Sequence, residues 1–247
     1  MTLKVKKITG GYSSTNIINK INFEVNSGEL AALIGLNGSG KTTIINHIVG
    51  LLHAKKGDIY FNKFNINVDT ERYHHNLAYI PEIPVVYKNL TLLEHIQVTI
   101  AAYNLNIIKA NRMAQKLLKI FHLNNKENWF PQDFSKGMRQ KVMIVCALLS
   151  KAPLLIIDEP FIGLDPLAKY DLIKIIKQRK NKGSTILLST HTLEGIFNLV
   201  DKFLLLDRGT LRAKGNFKQI LSQFKGSRNL NDIYFKLGQE IENSKNE

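Results

Sequence analysis

The stretch Gly35-Leu36-Asn37-Gly38-Ser39-Gly40-Lys41-Thr42-Thr43 matches the phosphate-binding pattern G-x-x-x-x-G-K-[ST] at every fixed position. In this pattern the glycines let backbone N–H groups approach phosphate oxygens closely. The lysine reaches the β- and γ-phosphates, and the hydroxyl group that follows it contacts magnesium. The stretch therefore predicts a nucleoside triphosphate site with Thr42 beside the metal. The candidate nucleotide-binding residues are Gly35, Asn37, Gly38, Ser39, Gly40, Lys41, Thr42 and Thr43.

The residues on both sides of this loop favour the same interpretation. Leu30 to Ile34 is a short apolar run that predicts a buried strand, and Thr42 to Leu52 carries apolar residues at helical spacing. The loop then leads from a strand into the amino terminus of a helix, where partial positive charge favours phosphate. The alternative is a chance glycine-rich turn, but it accounts for neither flanking element. An α/β fold is expected.

Three later stretches add carboxylates, a capped helix and a histidine. Leu154 to Pro160 is four apolar residues followed by Asp158 and Glu159, as expected of a buried strand that brings acids to its carboxyl end. In an open parallel sheet that edge binds ligands. Phe134 to Lys141 opens an apolar helix with a serine at the capping position. His191 follows another apolar strand, so it is expected at the same edge.

In this order, the stretches resemble the phosphate loop, signature, Walker B and switch histidine of the ATP-binding-cassette (ABC) ATPases, over nearly the whole chain. Within that superfamily the chain is most similar to the ATPase subunit of the Ecs-type bacterial ABC transporters. The stretches that carry this similarity are Gly10-Gly11-Tyr12, residues 79–87, residues 128–131, residues 134–138 and residues 158–165.

The resemblance implies an α/β fold with a P-loop NTPase (RecA-like) core of ABC type, an antiparallel β subdomain and an inserted α-helical subdomain. The predicted division is 1–82 for the β subdomain with the phosphate loop, 83–152 for the helical subdomain, and 153–214 for the rest of the core. Residues 215–247 are predicted to form a C-terminal tail, loose from Gln239 onwards because the stretch is polar.

Local patterns add detail to this division. Thr91-Leu92-Leu93-Glu94 is a capping box that predicts a helix start. Met1 to Ile8 alternates apolar residues with lysine, which we interpret as an edge strand. Phe203 to Ala213, with Asp207-Arg208-Gly209 at its turn, predicts a hairpin.

The composition of the chain limits its expected cellular location and its expected binding partners. The net charge of +14 comes from basic residues scattered along the chain, so we expect a solvated basic surface and no nucleic-acid partner. No apolar run approaches the ~18 to 20 residues that a membrane helix needs, and Met1 to Ile8 lacks the apolar core of a signal peptide. The single cysteine, Cys146, cannot form an internal disulfide. We expect a cytoplasmic chain that reaches the inner face of the membrane through a permease partner.

The carboxylates and the histidine have roles that chemistry and the resemblance suggest. Glu159 is the candidate general base for the attacking water, and Asp158 is the candidate magnesium ligand. Helix capping is the alternative for the two acids. His191 resembles the switch histidine that contacts the γ-phosphate, the alternative being an ordinary surface or core histidine. Glu82 stands where most relatives have a glutamine that links magnesium and water to the membrane subunit, so it is a candidate for both catalysis and metal binding.

Four further residues are assigned by resemblance. Tyr12 matches the aromatic residue on which adenine stacks, the alternative being a tyrosine in a turn. Ser135 and Gly137 match signature residues that touch the γ-phosphate of the opposite protomer. Asp165 matches a loop acid at the dimer interface, with helix capping as an equally plausible role. The chain departs from the usual signature at Phe134, Lys136 and Met138, and we hypothesise that Lys136 adds a compensating charge.

The resemblance thus implies the ATP- and Mg²⁺-dependent ATPase subunit of an exporter linked to peptide handling or protein secretion, acting on a separate integral-membrane permease. A second cassette is implied, and one complete set of motifs favours a homodimer. The alternative is a soluble ABC ATPase acting on ribosomes or nucleic acid, although such relatives usually carry two cassettes or long coiled coils. A GTPase would need N-K-x-D, and Asn62-Lys63-Phe64-Asn65 lacks the acid.

Overall fold

The computed structural model describes residues 1–243, which form two β-sheets and eight α-helices. The strands are β1 (Leu3–Gly10), β2 (Ile18–Val25), β3 (Leu30–Ile34), β4 (Lys56–Phe61), β5 (Phe64–Asn65), β6 (Leu77–Ile80), β7 (Leu154–Asp158), β8 (Thr185–Ser189), β9 (Lys202–Asp207) and β10 (Thr210–Gly215). The helices are α1 (Lys41–Ile48), α2 (Thr70–His75), α3 (Leu92–Ala102), α4 (Ile107–Ile120), α5 (Lys136–Leu149), α6 (Pro166–Asn181), α7 (Phe217–Gln223) and α8 (Leu230–Asn243).

The larger sheet has the strand order β10-β9-β3-β8-β7-β6. Its strands from β9 to β6 are parallel, and β10 pairs antiparallel with β9 in the hairpin that the sequence predicts. All residues of β3, β7 and β8 are buried, because both faces of the sheet are covered. The three strands therefore read as continuous apolar runs, and the predicted α/β class is confirmed.

The smaller sheet is antiparallel, with the order β2-β1-β4-β5. Strand β1 lies between two neighbours, since Leu3 is opposite both Val25 of β2 and Phe61 of β4. The prediction of an edge strand was therefore wrong. Alternation of apolar and polar residues reports that one face of a strand is buried, as at Leu3 and Val5, and it carries no information on how many strands pair with it.

The helical region packs on one face of the larger sheet. The predicted capping box is present at the start of α3, where Thr91 Oγ1 accepts from Glu94 N at 3.3 Å and Glu94 Oε2 accepts from Thr91 N at 2.6 Å. Helices α3, α4 and α5 share an apolar core with the sheet that includes Leu92, Leu117 and Val145. This packing fixes the amino terminus of α5, which carries the signature stretch.

The segment predicted as a tail is largely helical. Helices α7 and α8 bury Ile220, Ile233 and Leu237 in a third apolar cluster, against β3 and β9. Ile233 and Leu237 lie four positions apart and so share one side of α8. The loose stretch predicted from Gln239 onwards begins inside α8, and its last residues, 244–247, lie outside the described part of the chain.

Within residues 1–243, no helix has both the length and the apolar character that crossing a bilayer requires.

Candidate nucleotide-binding site

The carboxyl ends of β3, β7 and β8 meet at one edge of the larger sheet, and each is followed by predicted site residues. They open onto a cavity of about 490 Å³. The predicted residues that line it are Tyr12, Asn37, Gly38, Gly40, Lys41, Thr42, Thr43, Glu82, Glu159 and His191. Ile17 and Ile162 complete the lining and were not predicted. Residues far apart in the sequence are thus brought to the place where an open parallel sheet binds ligands.

The phosphate loop has the conformation that its glycines allow. Gly38 and Gly40 adopt φ values of 77° and 104°, which residues with a Cβ rarely adopt. Gly40 leads directly into α1, and no side chain within residues 1–243 caps that helix. Its first backbone N–H groups are therefore left for an anion at the helix amino terminus.

Lys41 is buried beneath the loop. Its Nζ donates to the carbonyl oxygens of Gly35 at 2.9 Å and Leu36 at 3.2 Å. Burial lowers the pKa of Lys41, whereas the charges of Glu159, Asp158 and Glu82 act to raise it. The ammonium group is thus held at the loop by two carbonyls, close to three carboxylates.

Asp158 is almost completely buried, and Ser189 organises it. Ser189 Oγ donates to Asp158 Oδ1 and accepts from the backbone N of Glu159 at 3.1 Å. Burial raises the pKa of Asp158, although hydrogen bonding by Ser189 and Thr42 opposes this. Asp158 Oδ2 has no hydrogen-bond partner among the described residues. A buried carboxylate oxygen with no partner, close to a threonine hydroxyl, provides the hard oxygen ligands that Mg²⁺ prefers.

Glu159 faces the cavity and contacts His191. His191 Nδ1 lies 3.0 Å from Glu159 Oε2, with the Glu159 side chain buried and the His191 side chain half-exposed. Glu159 has a φ of 42°, an uncommon conformation for a residue with a side chain. Its backbone N–H donates to both the carbonyl and the hydroxyl of Ser189. The structure therefore brings two of the three candidate catalytic residues into direct contact.

Glu82 lines the cavity next to a contact between the core and the helical region. Gln140 of α5, itself buried, donates from Nε2 to the carbonyl oxygen of Pro81 at 2.9 Å. The backbone one residue before Glu82 is therefore attached to the helix that carries the signature stretch. Gln140 was not predicted, because this contact joins residues 59 positions apart.

Tyr12 stands at the mouth of the cavity with half of its surface exposed. Its hydroxyl accepts from Nδ2 of Asn46 on α1 at 3.2 Å. The ring therefore has an open surface and one polar contact that restricts its orientation.

Ser135, Gly137 and Asp165 are absent from the cavity lining that the described residues form. Ser135 caps α5, accepting from Met138 N at 3.3 Å. Asp165 caps α6, accepting from Ala168 N at 2.9 Å, and so has the capping role that the sequence left open. The structure thus keeps these three residues away from the nucleotide cavity of their own chain.

Two further residues that sequence reasoning missed belong to this region. Ser189 could be recognised only from the pairing of β7 with β8, which places it opposite Asp158. Tyr234 of α8 lies against the phosphate loop; burial raises the pKa of its hydroxyl to about 12, while a contact with the Gly35 backbone opposes the rise. No local motif marks either residue.

A glycine-rich loop between a buried strand and a helix, with paired acids on the neighbouring strand, defines a P-loop nucleoside triphosphatase. The ABC transporter family profile matches residues 18–162. EcsA, an ABC-type transporter ATP-binding protein of Bacillus subtilis (strain 168), is 42% identical over 240 residues, covering 96% of this chain and 97% of EcsA. The chain belongs to the ABC transporter family as an ATP-binding subunit, and it is an ATPase.

Two further comparisons agree with this assignment. SkfE of Bacillus subtilis (strain 168), described as the SkfA peptide export ATP-binding protein, is 32% identical over 212 residues, covering 85% of this chain and 87% of SkfE. A solved structure of an ATP-binding subunit of an ABC transporter is 44% identical, with a TM-score of 0.91, covering 96% of this chain and 100% of the other.

Proposed function

We propose that this chain is the ATPase subunit of a bacterial exporter for peptides or secreted proteins, and that it drives a separate integral-membrane permease. The observation that carries the proposal is the cavity at the sheet edge, which Lys41 and Glu159 line, with Asp158 close enough for its charge to act on Lys41. The similarity to EcsA and to SkfE, which is named for peptide export, favours this assignment over action on ribosomes or nucleic acid.

The phosphate loop and Lys41 hold the triphosphate, through backbone N–H groups and the ammonium group. Asp158 and Thr42 would hold Mg²⁺, with Glu82 near enough to act on its water shell. When bound there, the ion would supply positive charge against the charge that develops on the phosphates. Few protein ligands are needed, since Mg²⁺ bound to nucleotides keeps water and phosphate oxygens in its coordination shell.

Glu159 acts as the general base for the attacking water, and His191 orients the carboxylate and contacts the γ-phosphate. The 3.0 Å contact between them supports this pairing of roles. Glu159 is also fixed through its backbone by Ser189, so its position depends on the strand that delivers His191. Such a base contributes about 10²- to 10⁴-fold to the rate.

Tyr12 provides a stacking surface for adenine at the mouth of the cavity. Its ring is half-exposed, and Asn46 holds its hydroxyl. Stacking on an aromatic ring tolerates any base, so the preference for ATP is taken from the family.

A second cassette completes the site, and we propose a homodimer. Ser135 and Gly137 lie outside the cavity of their own chain, at the amino terminus of α5, where partial positive charge favours a phosphate. Asp165 stands on the segment that follows Glu159 and faces the same partner. Lys136 is exposed at the first turn of α5, where its charge would compensate for the departures from the usual signature.

The permease docks on an apolar patch, which we define as Ile83, Val85, Tyr87, Trp129 and Phe130, all exposed. The amino terminus of α3 brings its two halves together: Tyr87 N donates to His95 Nε2 at 2.9 Å, and the Trp129 carbonyl accepts from Leu92 N at 2.9 Å. The patch begins one residue after Glu82, so a partner bound there is adjacent to the nucleotide. This partner places the chain at the inner face of the membrane.

The test is to tag the chain, solubilise native membranes in detergent and identify stoichiometric partners by mass spectrometry. A polytopic membrane protein is the expected partner, and Val85→Asp should reduce its recovery strongly. Leu51→Asp is the matched control, since Leu51 is equally exposed but belongs to another region. Recovery with ribosomes or DNA in the soluble fraction, with no membrane protein, would contradict the transport role and leave the ATPase assignment intact.

A further inference from the structure

An ion pair joins α5 to the loop that precedes α6. Lys141 Nζ lies 2.6 Å from Asp165 Oδ2, and the two side chains are 11% and 49% exposed. The other carboxylate oxygen of Asp165 caps α6. Lys141 holds the pKa of Asp165 below its usual value, together with the backbone N–H of Ala168. Both oxygens of this carboxylate are therefore engaged within one chain.

A backbone contact lies beside the ion pair. The Cα of Gly137 packs so closely against Gly163 that an added Cβ would lie 2.4 Å from the Gly163 carbonyl oxygen. Gly137 and Lys141 are four residues apart on α5 and so lie on the same side of the helix. They meet Gly163 and Asp165, which are two residues apart on the facing loop.

The loop from Glu159 to Asp165 is thereby held at both ends. At its beginning, Glu159 N is bonded to Ser189 at the nucleotide cavity. Ile162, midway along the loop, lines the cavity. At its end, Asp165 is attached to α5 by Lys141. Within one chain, the loop of residues 159–165 therefore connects the candidate base, Glu159, to helix α5, which carries the signature stretch.

We propose that Lys141 is a positioning residue that makes the signature turn and the loop of residues 159–165 one rigid unit for presentation to a second cassette. This inference rests on the proposed pairing of two cassettes. Lys141 is absent from the cavity lining and is connected to the cavity through Asp165 and the loop of residues 159–165. Its removal should therefore leave the affinity of a single chain for nucleotide unchanged and weaken ATP-driven pairing.

The experiment uses the full chain with Glu159→Gln, so that bound ATP persists, and adds Lys141→Met, Lys141→Arg or Lys4→Met. Methionine keeps the volume of the buried stem and removes the charge. Lys4→Met is the matched control, because Lys4 on β1 of the smaller sheet makes a solvent-exposed ion pair of 3.5 Å with Glu24. Sedimentation measures ATP-dependent pairing, fluorescent ATP measures affinity in dilute protein, and urea measures stability.

The expected result is pairing weakened about tenfold or more by Lys141→Met. Nucleotide affinity should stay within about twofold of the parent, Lys141→Arg should restore most of the pairing, and Lys4→Met should have no effect. Pairing by Lys141→Met equal to that of the parent would overturn the inference alone. If Lys141→Met lost stability, nucleotide affinity and pairing together, the inference would also be overturned, because Lys141 would then have only a structural role. Failure of the parent itself to pair would instead contradict the proposed second cassette, and the inference with it.

Discussion

His191 Nδ1 and Glu159 Oε2 are 3.0 Å apart, and this contact joins the ends of two neighbouring parallel strands. It links a half-exposed imidazole to a buried carboxylate, and both residues line the cavity. A water molecule that approaches Glu159 therefore does so in the presence of His191. The pair gives the proposed mechanism its first test.

Glu159→Gln should lower the turnover number about 10²- to 10⁴-fold, because the amide keeps the shape of the side chain and cannot accept the proton. ATP binding should persist, since the phosphate loop is unchanged. Phosphate release and binding of fluorescent ATP measure the two properties. Glu194→Gln is the control, as Glu194 is an exposed acid that pairs with Lys169. Wild-type turnover in Glu159→Gln would remove Glu159 from the role of base.

Asp158→Asn should stabilise the nucleotide-free protein while it impairs Mg²⁺-dependent hydrolysis. Burial raises the pKa of Asp158 above 3.8, so the folded state favours the protonated acid. The resulting contribution to stability is present below pH 3.8 and is lost as the pH rises through the higher folded pKa. Above that raised pKa the ionised carboxylate opposes folding, whereas asparagine is neutral and can still accept from Ser189.

Urea unfolding of Asp158→Asn and wild type at several pH values tests this trade-off. The stability advantage of the variant should be present above the raised pKa and shrink as the pH falls through it. A variant that is less stable than wild type at pH 7 would show that the ionised carboxylate is stabilised by its neighbours, and would contradict the prediction.

Glu82→Gln should change the dependence of the ATPase on magnesium. Glu82 adds negative charge beside Asp158 and Glu159, and its loss should weaken the attraction for the cation. We expect half-maximal activity to require about two- to tenfold more Mg²⁺. Titration at saturating ATP measures this. If neither the magnesium dependence nor the permease-coupled activity changes, Glu82 has no such role.

Tyr12→Ala should raise the KM for ATP by about fivefold or more, since stacking of a base on an aromatic ring contributes about 1 to 3 kcal/mol. Tyr12→Phe separates the ring from its hydroxyl, because it keeps the stacking surface and loses the bond to Asn46. The KM of Tyr12→Phe for ATP should stay close to that of the wild type. Equal KM values for Tyr12→Ala and wild type would show that adenine binds elsewhere.

Much of this fold was predictable because its signals are local. The phosphate loop, the capping box at Thr91 and the caps at Ser135 and Asp165 each depend on residues within a few positions, and the structure has all of them. The roles of the candidate site residues stay predictions, although ten of them line one cavity.

What the sequence did not predict depends on distant pairing. The position of β1 inside its sheet, the hydroxyl of Ser189 on Asp158, and the ion pair of Lys141 with Asp165 all join residues that no short pattern connects. Helix α8 was missed for a different reason: Leu230, Ile233, Tyr234 and Leu237 recur at helical spacing, but the polar end of the segment dominated the interpretation as a tail.

The central place of β3 in its sheet has a consequence for how the chain is made. Strand β3 and the phosphate loop leave the ribosome early, but both strands that flank it, β8 and β9, are translated much later. Until synthesis passes Asp207, the phosphate loop follows a strand that lacks part or all of its hydrogen bonds to β8 and β9. In this topology the sheet forms only when segments far apart in the sequence pair. Tight nucleotide binding is therefore expected only of the completed polypeptide. Cellular ATP should accordingly stabilise completed chains more than nascent ones.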